Sequence, residues 1–77
     1  MKRDWVWVTR DNLGKNASPV GVWKSTSQPY TEDGEWHSES WMYLEMSAEA
    51  FKELFGFTPR MGSKRKMRLI VEQEMEA

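Results

Sequence analysis

The sequence contains no cysteine and a single histidine, His37. A chain of 77 residues lies below the size at which one hydrophobic core comfortably outweighs chain entropy. Short chains often add disulfides or a structural zinc, and neither can be built from these residues. The sequence therefore predicts a single small domain over residues 1–77, stabilised by apolar packing, with no metal and no cofactor.

Long apolar runs are also absent. The longest is Leu69-Ile70-Val71, whereas a helix that crosses a bilayer needs about 20 apolar residues. Residues 1–10 lack the apolar segment of a secretory signal peptide. We therefore expect a cytoplasmic protein that makes no use of a membrane.

Aromatic side chains, in contrast, are abundant, with five tryptophans, three phenylalanines and two tyrosines. They supply a large apolar area per residue. Tryptophan and valine alternate in residues 5–9, so Trp5 and Trp7 should face one side of a strand while Val6 and Val8 face the other. Because both sides are apolar, we expect a central strand, or one whose second side is covered by a helix or by another molecule.

Turn residues divide the middle of the chain. A second strand is predicted from Val20 to about Ser25, after a segment rich in Asn, Gly and Ser. Gly21 inside it predicts a bulge or a bulky neighbour. Asp33-Gly34 predicts a tight hairpin tip, followed by a third strand over residues 36–46. Alternation along that strand predicts three side chains directed to the core, Met42, Leu44 and Met46.

A short helix is predicted after this strand. Ser47 is a good N-cap, Met46 before it is placed to pack on Phe51, and Gly56 should end the helix. A last strand is predicted over residues 66–72, followed by a frayed acidic end. The resulting fold class is α+β, a small antiparallel sheet of about four strands with one short helix, in the order β-β-β-α-β.

Charge is segregated along the chain, although the net charge is −1. Residues 31–55 carry seven acids and one base, whereas residues 56–71 carry five bases and no acid. A structural interpretation is that the two blocks complement each other within the fold. Each block is also a candidate binding surface.

Catalytic patterns are weak. A nucleophile needs an oriented base, and His37, near Glu39 on the same predicted strand face, is the one histidine that could serve. Gly62-Ser63-Lys64 lacks the upstream glycine of a phosphate-binding loop. We therefore expect a binding protein rather than an enzyme.

The first functional hypothesis is a protein contact made by the acidic block. Aromatic side chains supply contact energy, and carboxylates around them speed the encounter with a basic partner surface. In size and charge alone, the chain resembles the small accessory or inhibitor proteins of bacteria and phages, and a homodimer is an alternative partner. The predicted contact residues are Glu32, Asp33, Glu35, Trp36, Glu39, Trp41 and Tyr43.

The alternative hypothesis is nucleic-acid binding by the basic segment. Lysine and arginine beside a Gly-Ser turn can follow a phosphate backbone, and an exposed tryptophan on a neighbouring strand could stack on bases. The isoelectric point of 5.8 speaks against it, because nucleic-acid modules tend to be basic. Since surface charges are mainly solvated, we expect Lys64, Arg65 and Lys66 to add little to folding. The residues are Arg60, Lys64, Arg65, Lys66 and Arg68.

Overall fold

The structure is a computed structural model that describes residues 2–14 and 16–71. In these residues, an antiparallel sheet has the strand order β5-β2-β1-β6, and β3 and β4 form a separate hairpin. The predicted α+β class, with a four-stranded antiparallel sheet and one short helix, is confirmed. The elements are β1 (Lys2–Arg10), β2 (Val20–Lys24), β3 (Tyr30–Glu32), β4 (Glu35–His37), β5 (Met42–Met46), α1 (Ala48–Phe55) and β6 (Lys64–Val71).

The element order differs from the prediction in two respects: Tyr30–Glu32 forms an additional strand, β3, and the predicted third strand, residues 36–46, is divided between β4 and β5. Between them, the Ser40 backbone N–H donates to Ser38 Oγ at 2.9 Å, and the Ser40 hydroxyl lies 3.0 Å from Thr26 Oγ1. Serine side chains that bond the nearby backbone compete with a strand ladder. The chain therefore leaves the hairpin here and enters the main sheet.

The core lies on one side of this sheet, where its centre is Phe51 of α1. Its ring centroid lies 4.6 Å from that of Phe55 and 5.1 Å from that of Phe57. The predicted alternation in β1 is confirmed, because its valines join those of β2 in this core. The buried cluster comprises Val6, Val8, Val20, Val22 and Phe51.

Both predicted ends of the helix are confirmed. Ser47 Oγ accepts a hydrogen bond from the Ala50 backbone N–H at 3.1 Å. Gly56 is left-handed, with φ of 87°, and its N–H donates to the Lys52 carbonyl at 2.8 Å. Met46, before the cap, packs against the core cluster that contains Phe51. Local capping therefore sets the length of α1.

One residue of β5 changes the predicted facing of that strand. Leu44 pairs with Val22, but Met42 pairs with Trp23, so Tyr43 is an extra residue in a β-bulge. Residues directly opposite in a ladder share a face, which places Met42 with Trp23, away from the core. The prediction that Met42 faces the core is wrong, and Tyr43 packs against the core instead.

The predicted hairpin tip is confirmed. Asp33 and Gly34 both have positive φ, 53° and 84°, as a two-residue turn that matches strand twist requires. The hairpin is fastened to the end of β1, where the Asn12 N–H donates to the Gly34 carbonyl at 2.7 Å. The Trp36 indole N–H donates to the Arg10 carbonyl at 3.0 Å. The hairpin therefore covers part of the second side of the sheet, opposite the side on which α1 packs.

Two sequence predictions fall outside the described residues. Glu72 at the end of the last predicted strand is one, and the frayed acidic end after it is the other. Within residues 2–14 and 16–71, no helix has both the length and the apolar character needed to cross a membrane.

Candidate nucleic-acid interface

The side of the sheet opposite α1 combines tryptophans with cations. Trp5 pairs with Arg68, Trp7 with Lys66 and Thr9 with Lys64 across the β1–β6 ladder. Paired residues in an antiparallel ladder project to the same side. We call this surface the tryptophan face, which comprises Trp5, Trp7, Trp23, Lys64, Lys66 and Arg68.

Trp5 is the most accessible indole of the tryptophan face, with 48% of its surface exposed. Lys66 Nζ lies 5.9 Å from its ring centroid, and Arg68 Cζ lies 5.7 Å from it. Both distances are within the range in which a cation is attracted to an aromatic ring. Lys66 and Arg68 are themselves exposed. Two positive charges therefore lie over an aromatic ring that remains nearly half exposed.

Lys64, at the other end of the row, makes internal contacts. Its Nζ donates to Gln28 Oε1 at 2.5 Å and to the Pro29 carbonyl at 3.3 Å. The same ammonium lies 5.5 Å from the Trp7 ring centroid and 5.6 Å from that of Trp36. Lys64 therefore joins the sheet to the segment before β3 and to the hairpin.

Trp23 forms a buried floor beneath this surface. It is 8% exposed, and its indole N–H donates to Thr9 Oγ1 at 2.9 Å. A Cβ at Gly21 would lie 3.1 Å from Trp23 Nε1 and 3.3 Å from Thr9 Oγ1. The bulky neighbour predicted for Gly21 is therefore present, and the glycine leaves space for the bond between the indole and the threonine.

Carboxylates do not neutralise this row in the described part of the chain. There, a single contact between a basic and an acidic side chain is shorter than 4.0 Å. It joins His37 Nε2 to Glu35 Oε1 at 3.7 Å. The expected pairing between the acidic and basic blocks is therefore not made by the described residues. Among the described residues, no carboxylate oxygen lies within 4.0 Å of the Lys66 ammonium or the Arg68 guanidinium.

The structure brings together three of the five predicted nucleic-acid residues, Lys64, Lys66 and Arg68. Arg65 pairs with Val8, so it projects to the opposite side of β6. Arg60 is exposed in the turn before β6 and lies outside the row. A row of alternate residues therefore replaces the continuous basic segment suggested by the sequence.

The predicted acidic and aromatic residues are divided into two groups, one on the hairpin and its connection to β5, the other at β5 itself. The hairpin carries Trp36, which is half-buried and fixed by its bond to Arg10, and its indole lies under Lys64. Glu39 is exposed in the connection to β5. The exposed carboxylates of the hairpin itself are Glu32, Asp33 and Glu35.

Trp41 and Tyr43 form the second group, at the edge strand β5. Trp41 is 67% exposed, and its ring stacks on Tyr43 with centroids 6.1 Å apart. Tyr43 Oη lies 3.4 Å from Asp4 Oδ2, longer than an ordinary hydroxyl hydrogen bond. Burial, together with the nearby Asp4 carboxylate, raises the pKa of the Tyr43 hydroxyl above its ordinary value. This aromatic pair is separate from the tryptophan face.

Few groups of side chains in the described residues could support catalysis. No group of three or more His, Asp or Glu side chains there could hold a metal ion. A depression of about 820 Å³ lies beside the start of α1, between residues such as Ser18, Ser47 and Lys52. Arg10 at its wall donates to the Ser18 and Pro59 carbonyls, both at 3.0 Å. The tryptophan face is the stronger candidate for a functional surface.

Trp5 was missing from the residues predicted for nucleic-acid binding. A sequence signal did exist, because Trp5 and Trp7 alternate along one strand, and Lys64, Lys66 and Arg68 alternate along another. The pairing of the first strand with the last, in a register that puts both sets on one side, is a tertiary property. It could not be read from either segment alone.

Comparison with known proteins gives no further guide to function. No protein-family model, curated protein or solved structure matches this chain. Its own side-chain geometry therefore provides the basis for a functional assignment.

Proposed function

We propose that the protein is a non-enzymatic nucleic-acid-binding module and that the tryptophan face is its binding surface. The observation that supports this proposal most directly is the placement of Lys66 and Arg68 within 6 Å of the centroid of the exposed Trp5 ring. Cations bind phosphates, and an indole stacks on bases, so the two kinds of group together match the two parts of a nucleotide.

The acidic isoelectric point is compatible with this function because charge acts locally. The Debye length at physiological ionic strength is about 8 Å. Glu45 shares the tryptophan face through its pairing with Gly21, but it lies on β5, three strands away from β6. At about 4.8 Å between neighbouring strands, this separation is roughly 14 Å. Its effect on a phosphate bound at Lys66 is therefore largely screened.

The proposal is tested by the salt dependence of binding to labelled oligonucleotides, measured by fluorescence anisotropy. Each cation that contacts a phosphate adds about one unit to the slope of log affinity against log salt. We expect Lys66→Gln and Arg68→Gln each to weaken binding and to reduce this slope by about one.

Arg65→Gln is the matched control because it removes one charge from the same strand on its opposite side. We expect this variant to keep nearly the wild-type slope. Equal losses for Lys66→Gln and Arg65→Gln would show general attraction to charge and contradict the proposed surface. Absence of binding at about 50 mM salt, where phosphate contacts are strong, would refute the function itself.

A second candidate function is a protein contact centred on Trp41, as expected of an accessory or inhibitor protein. The observation that favours it is the 67% exposure of Trp41 in a stacked pair with Tyr43. Tryptophan and tyrosine are enriched among residues that dominate interface energies. A partner with a basic surface would complement Glu39 and the hairpin carboxylates.

This second function is tested with wild-type, Trp41→Ser and Trp5→Ser proteins as baits in extract from the native host, followed by titration of the purified partner. We expect Trp41→Ser to lose the partner and Trp5→Ser to retain it. Equal retention by both variants would exclude Trp41 as the contact.

A further inference from the structure

We infer that the tryptophan face selects single-stranded over double-stranded nucleic acid, with one unpaired base stacked on Trp5 and the adjoining phosphates on Lys66 and Arg68. This inference rests on the proposed nucleic-acid function and adds the form of the ligand. It follows from three features of the face: the accessibility of one indole, the position of two cations, and the hairpin that closes one end.

Trp5 differs from the other indoles near this face. The indole N–H groups of Trp23 and Trp36 are bonded to Thr9 and to the Arg10 carbonyl, and both rings are buried or half-buried. Trp7 is half-buried beneath the Lys64 ammonium. These three rings stabilise the fold, whereas Trp5 is nearly half exposed. The face therefore presents one open ring on which a base can stack.

An exposed indole distinguishes single strands from duplexes. In a duplex, each base is covered by its neighbours at about 3.4 Å, so an indole reaches a base face only by unstacking the helix. An unpaired base has an open face, and stacking on an aromatic side chain tolerates every base because each has a π surface. Trp5 can therefore stabilise binding to a single strand but not to an undistorted duplex.

The two cations are placed to hold one backbone. Lys66 and Arg68 lie on the same side of β6, about 6.7 Å apart along the strand. Each lies within 6 Å of the Trp5 ring centroid. A nucleotide whose base lies on Trp5 thus has two cations close to its adjoining phosphates. One phosphate chain can contact both charges, whereas Lys64 is bonded internally.

The hairpin closes the Lys64 end of the face. Lys64 contacts Trp36 of β4, and the Trp36 indole N–H is bonded to the Arg10 carbonyl at the end of β1. A rigid duplex laid along the row would meet the hairpin at this point, whereas a flexible single strand can turn away.

The inference is tested by anisotropy titrations with four probes of the same length, about 12 nucleotides. The probes are single-stranded DNA, single-stranded RNA, the matching DNA duplex and an abasic deoxyribose-phosphate strand. We expect at least one single strand to bind about tenfold or more tightly than the duplex. We expect the abasic strand to bind more weakly than its DNA counterpart, because it lacks the base that stacks.

Trp5→Leu separates stacking from charge. We expect it to weaken binding of the preferred single strand by about five- to a hundredfold, the fold-change that corresponds to loss of one stacked base. Its affinity for the abasic strand should equal that of the wild type. Trp5→Phe keeps a ring and should retain part of the affinity. Trp41→Leu, at the exposed indole outside the face, is the control and should bind as the wild type does.

The outcomes distinguish the two proposals. If no probe binds at low salt, the nucleic-acid function is wrong. If the duplex binds as tightly as the single strands, or if Trp5→Leu weakens abasic and normal strands equally while its melting temperature is unchanged, the function stands and the selection of an unpaired base is wrong. A Trp5→Leu protein that fails to fold leaves Trp5→Phe and the abasic strand to decide, because Trp5→Phe keeps an aromatic ring and the abasic probe is titrated against the wild-type protein.

Discussion

At the scale of single residues, Phe51 is the largest fully buried side chain of the described residues. We expect Phe51→Ala to lower the free energy of unfolding by about 3 to 5 kcal/mol, because it removes packed area and leaves a cavity between Phe55 and Phe57. Urea denaturation followed by tryptophan fluorescence measures the loss. Phe51→Leu, which fills more of the space, should lose less. Wild-type stability of the alanine variant would show that the helix does not carry the core.

A second residue-scale prediction concerns Lys64, which the sequence groups with Arg65 and Lys66 as cations that add little to folding. Its contacts with Gln28, Pro29 and two indole rings change that expectation. We expect Lys64→Met to lower stability by about 1 kcal/mol, or about 4 to 8 °C in melting temperature for a domain of this size.

Arg65→Met is the matched control for Lys64→Met, since Arg65 is exposed on the other side of the same strand. Its melting temperature should stay close to that of the wild type. Equal and small changes in both variants would mean that the ammonium contacts of Lys64 are replaced by water at no cost.

At the scale of elements, the β3–β4 hairpin depends on Gly34. A Cβ there would lie 2.7 Å from the Asn12 carbonyl oxygen, and φ is 84°. We expect Gly34→Ala to combine the strain of positive φ with a clash, and to lose about 1 to 3 kcal/mol more stability than strain alone would cause. Thermal melting gives the total loss, and a red shift of tryptophan emission would report release of Trp36.

Gly56→Ala isolates the strain, because Gly56 has nearly the same φ, 87°, with no atom within 4 Å of the added Cβ. The difference between the two variants therefore measures the clash at Asn12. If both lost the same stability, the hairpin would have room to move away from β1 without cost.

At the scale of the whole molecule, we expect the protein to remain monomeric at micromolar concentration. β6 is an edge strand that carries four cations, so pairing with a second copy along this edge would bring like charges together. Sedimentation equilibrium measures the mass. A dimer whose formation is lost in Trp41→Ser would instead support a contact between copies at Trp41.

The two exposed tryptophans should differ in their response to ionic quenchers. Trp5 lies beside Lys66 and Arg68, which attract iodide and repel caesium. We expect Trp5→Phe to lower the ratio of iodide to caesium quenching, while Trp41→Phe removes a component accessible to both ions. An unchanged ratio in Trp5→Phe would contradict a positive surface around that ring.

Local chemistry was sufficient to predict several features from the sequence by itself. The Ser47 cap, the Gly56 end of α1 and the Asp33-Gly34 turn depend on backbone preferences that act over a few residues. The alternation of Trp5 to Val8 likewise predicted two different sides of one strand, because side chains alternate along any strand. These features led to the correct fold class.

The tertiary structure determined which residues become neighbours across the strands. The bulge at Tyr43, which turned Met42 away from the core, arises from register against β2 and has no signature in residues 36–46. The pairing of β1 with β6, which brings Trp5 close to Lys66 and Arg68, joins segments about 60 residues apart along a chain with many alternative pairings. The sequence by itself determined most of the elements and the two sides of β1, whereas packing selected the register and the bulge in β5, and the register created the candidate site.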